Sequence, residues 1–133
     1  MIQDILISVI MAVYNGCDTL SEAIQSILNQ TYQNIELIIC DDASTDDTWE
    51  LLQTWSRKNC RIRLLRNQKN EGAAIARNRC IEQARGGYIA IMDADDRSMP
   101  RRLELQLAFL EQNREISFVG SRGEFFFNYL GDL

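Results

Sequence analysis

Histidine is missing from this 133-residue chain. A Ser-His-Asp triad, a Cys-His pair and a His-ligated zinc are therefore excluded within it. The four cysteines, Cys17, Cys40, Cys60 and Cys80, show no C-x-x-C spacing. They read as free thiols in a reducing compartment rather than as a metal or redox site. There is no basic surplus either. The net charge is −5, which argues against a nucleic-acid partner. No apolar run approaches the length needed to span a bilayer. The N-terminus lacks a basic segment followed by an apolar one, so no signal peptide is expected and the expected location is cytoplasmic. No G-x-G-x-x-G follows the first apolar run, which argues against a Rossmann dinucleotide site, and the absence of G-x-x-x-x-G-K-[ST] excludes a P-loop.

What is present fits one ordinary globular domain over residues 1–133. The hydrophobic fraction is 46% and the charged fraction 25%, and a chain of this length can bury a real core. Apolar runs alternate with helical patterns. "LISVIMAVYN" (6–15) reads as a buried strand. "DTLSEAIQSILNQ" (18–30) follows as a helix with Leu20, Ala23, Ile24, Ile27 and Leu28 on one face, and Thr19 and Glu22 have capping-box spacing. "IELIICD" (35–41) is a second strand. "STDDTWELLQTWSRKN" (44–59) is a second helix with Ser44 as the expected N-cap. "RIRLLRN" (61–67), punctuated by charges, is expected at a sheet edge. "AAIARNRCIEQA" (73–84) is a helix stopped by Gly86 and Gly87. "YIAIMD" (88–93) is a fourth strand, Pro100 is expected to open a last helix, and "ISFVG" (116–120) reads as a fifth strand.

This order predicts an α/β, Rossmann-like, mostly parallel sheet with helices on both faces. Ligands of such sheets bind outside the carboxyl ends of the strands. "YN" at 14–15, "DD" at 41–42 and "DAD" at 93–95 all fall where a strand ends. Asp93, Asp95 and Asp96 crowd three carboxylates into four positions. Two unit charges about 5 Å apart repel by roughly 3 kcal/mol at an effective dielectric near 20. A cluster of hard oxygen ligands suits Mg²⁺ or Mn²⁺, and such a metal typically completes its shell with phosphate oxygens.

"SVIMAVYNG", "SILNQTYQNIELIICDDASTDDT", "NEGAAIARNRCIEQARGGYIAIMDADD" and "MPRRLELQL" together resemble the successive motifs of family 2 glycosyltransferases of the GT-A fold, in their N-terminal, nucleotide-sugar-binding half. The resemblance spans roughly residues 5 to 120. It implies transfer of a sugar from a nucleotide-diphosphate donor, a UDP-sugar by the commonest pattern, to a saccharide or other hydroxyl acceptor, with inversion, as in polysaccharide biosynthesis. It also implies the roles. Asp93 and Asp95 form the D-x-D pair that holds Mn²⁺ or Mg²⁺, with Asp95 the direct ligand. Asp42 accepts from the ring N–H of the base, Tyr14 lies against that base, and Ala12 contributes backbone near it. Arg77 lies by the nucleotide or its phosphates, and Asp96 faces the donor sugar. Peripheral attachment at the cytoplasmic membrane face is compatible with such an enzyme.

Blander readings stand beside these. Asp41 and Asp42 also suit a local turn cap. Arg77 also suits pairing with a nearby carboxylate. Trp49 and Trp55 are expected to pack, Gly72 to serve backbone geometry, and Arg97, Arg101 and Arg102 to form a solvated face. A receiver domain would need its acid pair after the first strand and a Lys after the fifth. A phosphatase of the haloacid dehalogenase type would carry D-x-D on its first strand. Neither pattern is met. A non-catalytic nucleotide-sugar-binding module remains the alternative, because no general base is recognisable after Asp96. Only Glu104, Glu111, Glu115, Glu124 and Asp132 follow it. The expectation is therefore a domain truncated at its C-terminus. Its apolar tail, with Phe125, Phe126, Phe127, Tyr129 and Leu130, would favour homo-oligomers.

Overall fold

The computed structural model describes residues 4–124. Four strands, β1 (Ile7–Val13), β2 (Ile35–Asp41), β3 (Ile62–Arg66) and β4 (Tyr88–Ile91), alternate with four helices, α1 (Leu20–Leu28), α2 (Thr48–Lys58), α3 (Ala73–Gln83) and α4 (Arg102–Gln112). The sheet is parallel throughout, in the order β3-β2-β1-β4. Central strands of such a sheet are covered on both faces, which is why β1 and β2 read as unbroken apolar runs. In β1, Val9 and Met11 pack with Leu20, Ile24 and Ile27 of α1, Leu52 of α2, and Leu103 and Leu107 of α4. Ile10 points to the other face, where Ile38, Cys40, Ala76 and Cys80 close a second, smaller core under α3.

The chain winds outward from β1 to β3 and then returns to place β4 on the far side of β1. Right-handed crossovers carry α1 and α2 over one face and α3 over the other. The reversal opens a crevice beyond the carboxyl ends of β1 and β4, the place where such sheets bind ligands.

Several local expectations change. Residues 116–120 are not a strand. A strand exists by pairing, and this segment does not pair with the open edge of β4. Instead Ser117, Phe118 and Val119 face that edge across a cleft of about 760 Å³. The Thr19 hydroxyl does not cap α1. It donates 2.9 Å to the Ala94 carbonyl and so ties the helix start to the acidic loop. Ser44 does not cap α2, which starts four residues later behind Asp47; its hydroxyl bonds Asp41 instead. Pro100 precedes α4 by two residues, and its carbonyl accepts from the Thr31 N–H. The α3 helix ends at Gln83, with Ala84 already extended, before the glycines. The apolar tail from Phe125 onward, with Asp132, lies outside the described residues.

Candidate functional site at the carboxyl edge of the sheet

Three loops meet beyond the strand ends, and side-chain hydrogen bonds clasp them. Asn15, in the left-handed region at φ 48°, accepts at Oδ1 from the N–H of Thr45 (2.8 Å) and of Asp46 (3.3 Å). Its own N–H donates to Ser44 Oγ (2.9 Å), and the Gly16 N–H donates to Thr48 Oγ1 (3.0 Å). With the Thr19–Ala94 bond, the loops after β1, β2 and β4 are held in one arrangement. The strand order then lines up Asp42, Tyr14 and Asp93 over two interstrand spacings, roughly 10 Å.

Asp41 and Asp42 are both buried, but their surroundings differ. Asp41, at 0% exposure, bonds Ser44 and takes an ion pair from Arg66 Nε at 3.2 Å. Arg66 in turn lies 4.8 Å over the Trp49 ring. Asp41 is thereby committed to the fold. Asp42 turns toward the loop after β3. Its Oδ1 accepts from Asn67 Nδ2 (2.8 Å) and the Glu71 N–H (2.9 Å), and its Oδ2 from the Gly72 N–H (2.9 Å). Burial pushes the Asp42 carboxyl up, yet the Asn67 side chain and the two backbone donors outweigh it and hold the group below the usual aspartate value. Oδ2, with one donor, retains acceptor capacity. Gly72 sits at φ 95°, a conformation open to glycine and strained for other residues.

Asp93, Asp95 and Asp96 are exposed, and one carboxylate oxygen from each lies within 4.8 Å of the others. Arg77, from α3, reaches Asp93 with an ion pair of 2.8 Å. Its Nε is enclosed and makes no hydrogen bond. Partial burial, then the charges of Asp95 and Asp93, push the Asp96 carboxyl up, against a smaller opposing effect of Arg102. Three hard oxygen donors with more negative charge than their neighbours balance fit a small divalent cation. Soft-metal chemistry finds no donor set here.

The other sequence candidates fall as follows. Tyr14 is half-exposed just past β1. Ala12 lies in β1 opposite Cys40 and packs on the smaller core. Trp49 and Trp55 pack against the main core, with Trp55 Nε1 donating to Ser21 Oγ at 3.1 Å. Of the basic group, Arg97 pairs with Glu22 and Arg101 with Glu104. Arg102 turns inward to Ser98 Oγ (2.9 Å) and the Ile91 carbonyl (3.0 Å). Glu104 and Glu111 are remote from the acids. Glu104 accepts from Thr31, beyond the end of α1 opposite to Thr19 and Ala94. Glu111 accepts from the Tyr88 hydroxyl, at the start of β4, whereas the acids follow its end. Neither carboxylate is placed to serve the crevice. Asn15 and Asn67 carry structural tasks at the site that their sequence positions did not announce. The signal was there in outline: Asn67 directly follows β3, and Asn15 follows β1 by two residues.

Comparison with known proteins adds to this geometry. A sequence model described as glycosyl transferase family 2 matches residues 8–130. EpsE of Bacillus subtilis (strain 168), provisionally named a glycosyltransferase, is 49% identical over 116 residues, which is 86% of this chain and 42% of EpsE. A crystal structure of S. aureus TarS 1–349 in complex with UDP superimposes with a TM-score of 0.74 and 26% identity, over 81% of this chain and 32% of that one. The same TarS fragment is known in complex with UDP-GlcNAc, with a TM-score of 0.75. The mannosyltransferase PcManGT from Pyrobaculum calidifontis, in complex with GDP-Man and Mn²⁺, gives a TM-score of 0.67 and 29% identity, over 74% of this chain and 30% of that one. The chain thus spans less than half the length of each of these proteins.

Proposed function

The chain belongs to glycosyl transferase family 2, and from that premise we propose that it is the donor- and metal-binding part of an enzyme that transfers a sugar from a UDP-sugar to a saccharide hydroxyl, with inversion, in the cytoplasm. The observation that carries this reading is the exposed trio Asp93, Asp95 and Asp96, with ligand oxygens within 4.8 Å, at the switch-point crevice. Asp95 and Asp93 would hold Mn²⁺ or Mg²⁺, and such an ion, when bound, stabilises the diphosphate leaving group as a Lewis acid. Tyr14 offers its half-exposed ring to the base. Asp42 offers Oδ2 to a ring N–H. Arg77 is a cation beside the diphosphate position, and Asp96 faces the sugar. Ala12 supplies backbone below the base. The TarS complexes support a uracil nucleotide, whereas the GDP-Man complex of the mannosyltransferase shows that a related fold takes guanine.

Glu104 and Glu111 sit away from the crevice. That favours a second feature of the reading: this chain binds donor, and α4 offers no carboxylate to activate an acceptor, since general-base catalysis needs a carboxylate within reach of the acceptor proton. Calorimetry with UDP, TDP, GDP and CDP, with and without Mn²⁺, tests the proposal. We expect UDP to bind best and only with metal, with negligible transfer to saccharides. Equal, metal-independent binding of all four nucleotides would overturn it.

A further inference from the structure

Asp42 does not hold its orientation alone. Asn67, 3% exposed, continues the ladder past β3 by donating its N–H to the Asp41 carbonyl at 2.9 Å. Its side-chain amide lies between groups of opposite kind. Nδ2 donates to Asp42 Oδ1 at 2.8 Å. Oδ1 accepts from the Arg79 guanidinium and from the Cys40 thiol, the latter at 3.7 Å. Turning the amide over would set its NH₂ against a guanidinium and its carbonyl against a carboxylate. The surroundings therefore permit one orientation. Arg79 is fixed in turn by a bond to the Arg66 carbonyl at 3.3 Å.

Arg79 stands two residues beyond Arg77, about 200° around the helix. The two side chains accordingly leave α3 toward opposite sides of the sheet, Arg77 to Asp93 beyond β4 and Arg79 to Asn67 beyond β3. One helix thus reaches both ends of the crevice. At the β3 end the consequence is chemical. With two donors on Oδ1 and one on Oδ2, Asp42 is held so that Oδ2 is the oxygen with acceptor capacity to spare. Without the Asn67 donor, the carboxylate could turn and lose that distinction.

We propose that Arg79 and Asn67 are positioning residues that fix which oxygen of Asp42 meets the base of the donor nucleotide, and thereby set base selectivity. This rests on the reading of Asp42 as the acceptor for a ring N–H. Neither residue touches the reacting atoms; both act through Asp42.

The test compares Asn67→Ala, Arg79→Met and Arg79→Lys with the wild-type chain in two measurements. The first, on free protein, follows the Asp42 carboxyl carbon by NMR through acid titration. Loss of the Asn67 donor, or of the Arg79 guanidinium that orients it, should move the Asp42 titration up toward the ordinary aspartate value. Arg79→Lys, which keeps a cationic donor, should restore it at least in part. The second measures the ratio of affinities for UDP and for N3-methyl-UDP with Mn²⁺ present. The methylated base cannot donate to Asp42 but carries the same charge, so this ratio is blind to a simple loss of positive charge. The wild type should prefer UDP by roughly tenfold or more, the scale of one hydrogen bond to a charged group. Asn67→Ala and Arg79→Met should bring the ratio several-fold closer to one, and Arg79→Lys should recover it. If Asn67→Ala does not fold, Arg79→Met, altered at a half-buried position, carries the test. An unmoved Asp42 titration in Arg79→Met and Asn67→Ala overturns the relay. A wild type that does not distinguish the two nucleotides overturns instead the assignment of Asp42 to the base, while the titration still decides the relay. An unchanged ratio in variants whose titration has moved overturns the selectivity role.

Discussion

Both ends of this sheet carry carboxylates. Where the strands begin, Glu36 of β2 is 7% exposed. Its Oε1 accepts from Ser8 Oγ (2.6 Å) and the Arg85 N–H (2.8 Å), and its Oε2 from Arg63 (3.0 Å). The Gly86 N–H donates to the same Ser8 hydroxyl at 2.8 Å, and a Cβ on Gly86 would meet the Leu6 carbonyl and Ser8 at 2.7 Å. Where the strands end, Asp93, Asp95 and Asp96 crowd together with one arginine paired to Asp93. At the first end Glu36 is answered on both oxygens by donors of the chain itself. The second leaves negative charge over. An acid that the fold completes reads as structure, and acids that the fold leaves crowded read as a place for something else. Asp42 lies between these cases: it is buried and takes three donors like Glu36, but all three are neutral, whereas Glu36 also has the Arg63 cation.

The contrast can be broken at either end. The largest effect on stability belongs to Glu36→Ala. It leaves the Arg85 N–H without its acceptor, and takes one partner each from the Ser8 hydroxyl, which still accepts from Gly86, and from Arg63, which keeps Gln83, and should cost about 2–4 kcal/mol. A urea midpoint shifted down accordingly, with metal-dependent UDP affinity of the folded fraction unchanged, is the expected result. Asp95→Ala should do the reverse. Its melting temperature in metal-free buffer should equal or exceed that of the wild type, because a repulsion is removed. The Mn²⁺-dependent part of UDP binding should fall further than the roughly 10–100-fold typical of losing an outer-shell partner, as read by calorimetry.

Acid should destabilise the paired end. Burial pushes Glu36 up, but its bonds to Ser8, the Arg85 N–H and Arg63 prevail and hold it below its ordinary value, as with Asp42. The unfolded chain therefore takes up these protons more readily than the folded one. Their contribution is complete above the unfolded carboxylate values and is lost as pH falls through the lower folded ones. Asp96, pushed up, has the opposite sign, since protonation relieves its neighbours. Melting temperatures between pH 7 and pH 3 should fall for the wild type and fall less steeply for Glu36→Gln, from a lower start. The smallest effect is at Ala43, which occupies the left-handed region at φ 64° in the loop that carries Asp42. Ala43→Gly removes that strain at some entropic cost, for a net gain of ~0.5 kcal/mol. A small upward shift in urea midpoint checks it.

Much of the architecture was legible because β1 and β2 are apolar on both faces and the helices between them carry clear stripes. The charges of "RIRLLRN" correctly placed β3 at an edge. Residues 116–120 misled because apolar composition states a preference for burial, whereas a strand also needs a partner, and composition says nothing of pairing. The caps misled for a related reason. Thr19 and Ser44 had the chemistry of N-caps, but tertiary acceptors, the Ala94 carbonyl and Asp41, took their hydroxyls. At the site, the acid trio and the alternative pairing of Arg77 with a carboxylate were readable from spacing and charge. The engagement of Asp42 by Asn67, Glu71 and Gly72 was not, because it joins groups about thirty residues apart through a loop with no periodic signal.

The claim that the surplus of acid marks the ligand end can be examined residue by residue. An amide ¹H–¹⁵N spectrum of the chain with saturating UDP, titrated with substoichiometric Mn²⁺, reports distance from the ion as paramagnetic broadening. The account predicts selective loss of the signals of residues 93–97, followed by those of the loops after β1 and β2, while residues 35–37 and 85–88 stay sharp. Broadening centred on Glu36, or spread evenly over both ends of the sheet, would contradict it.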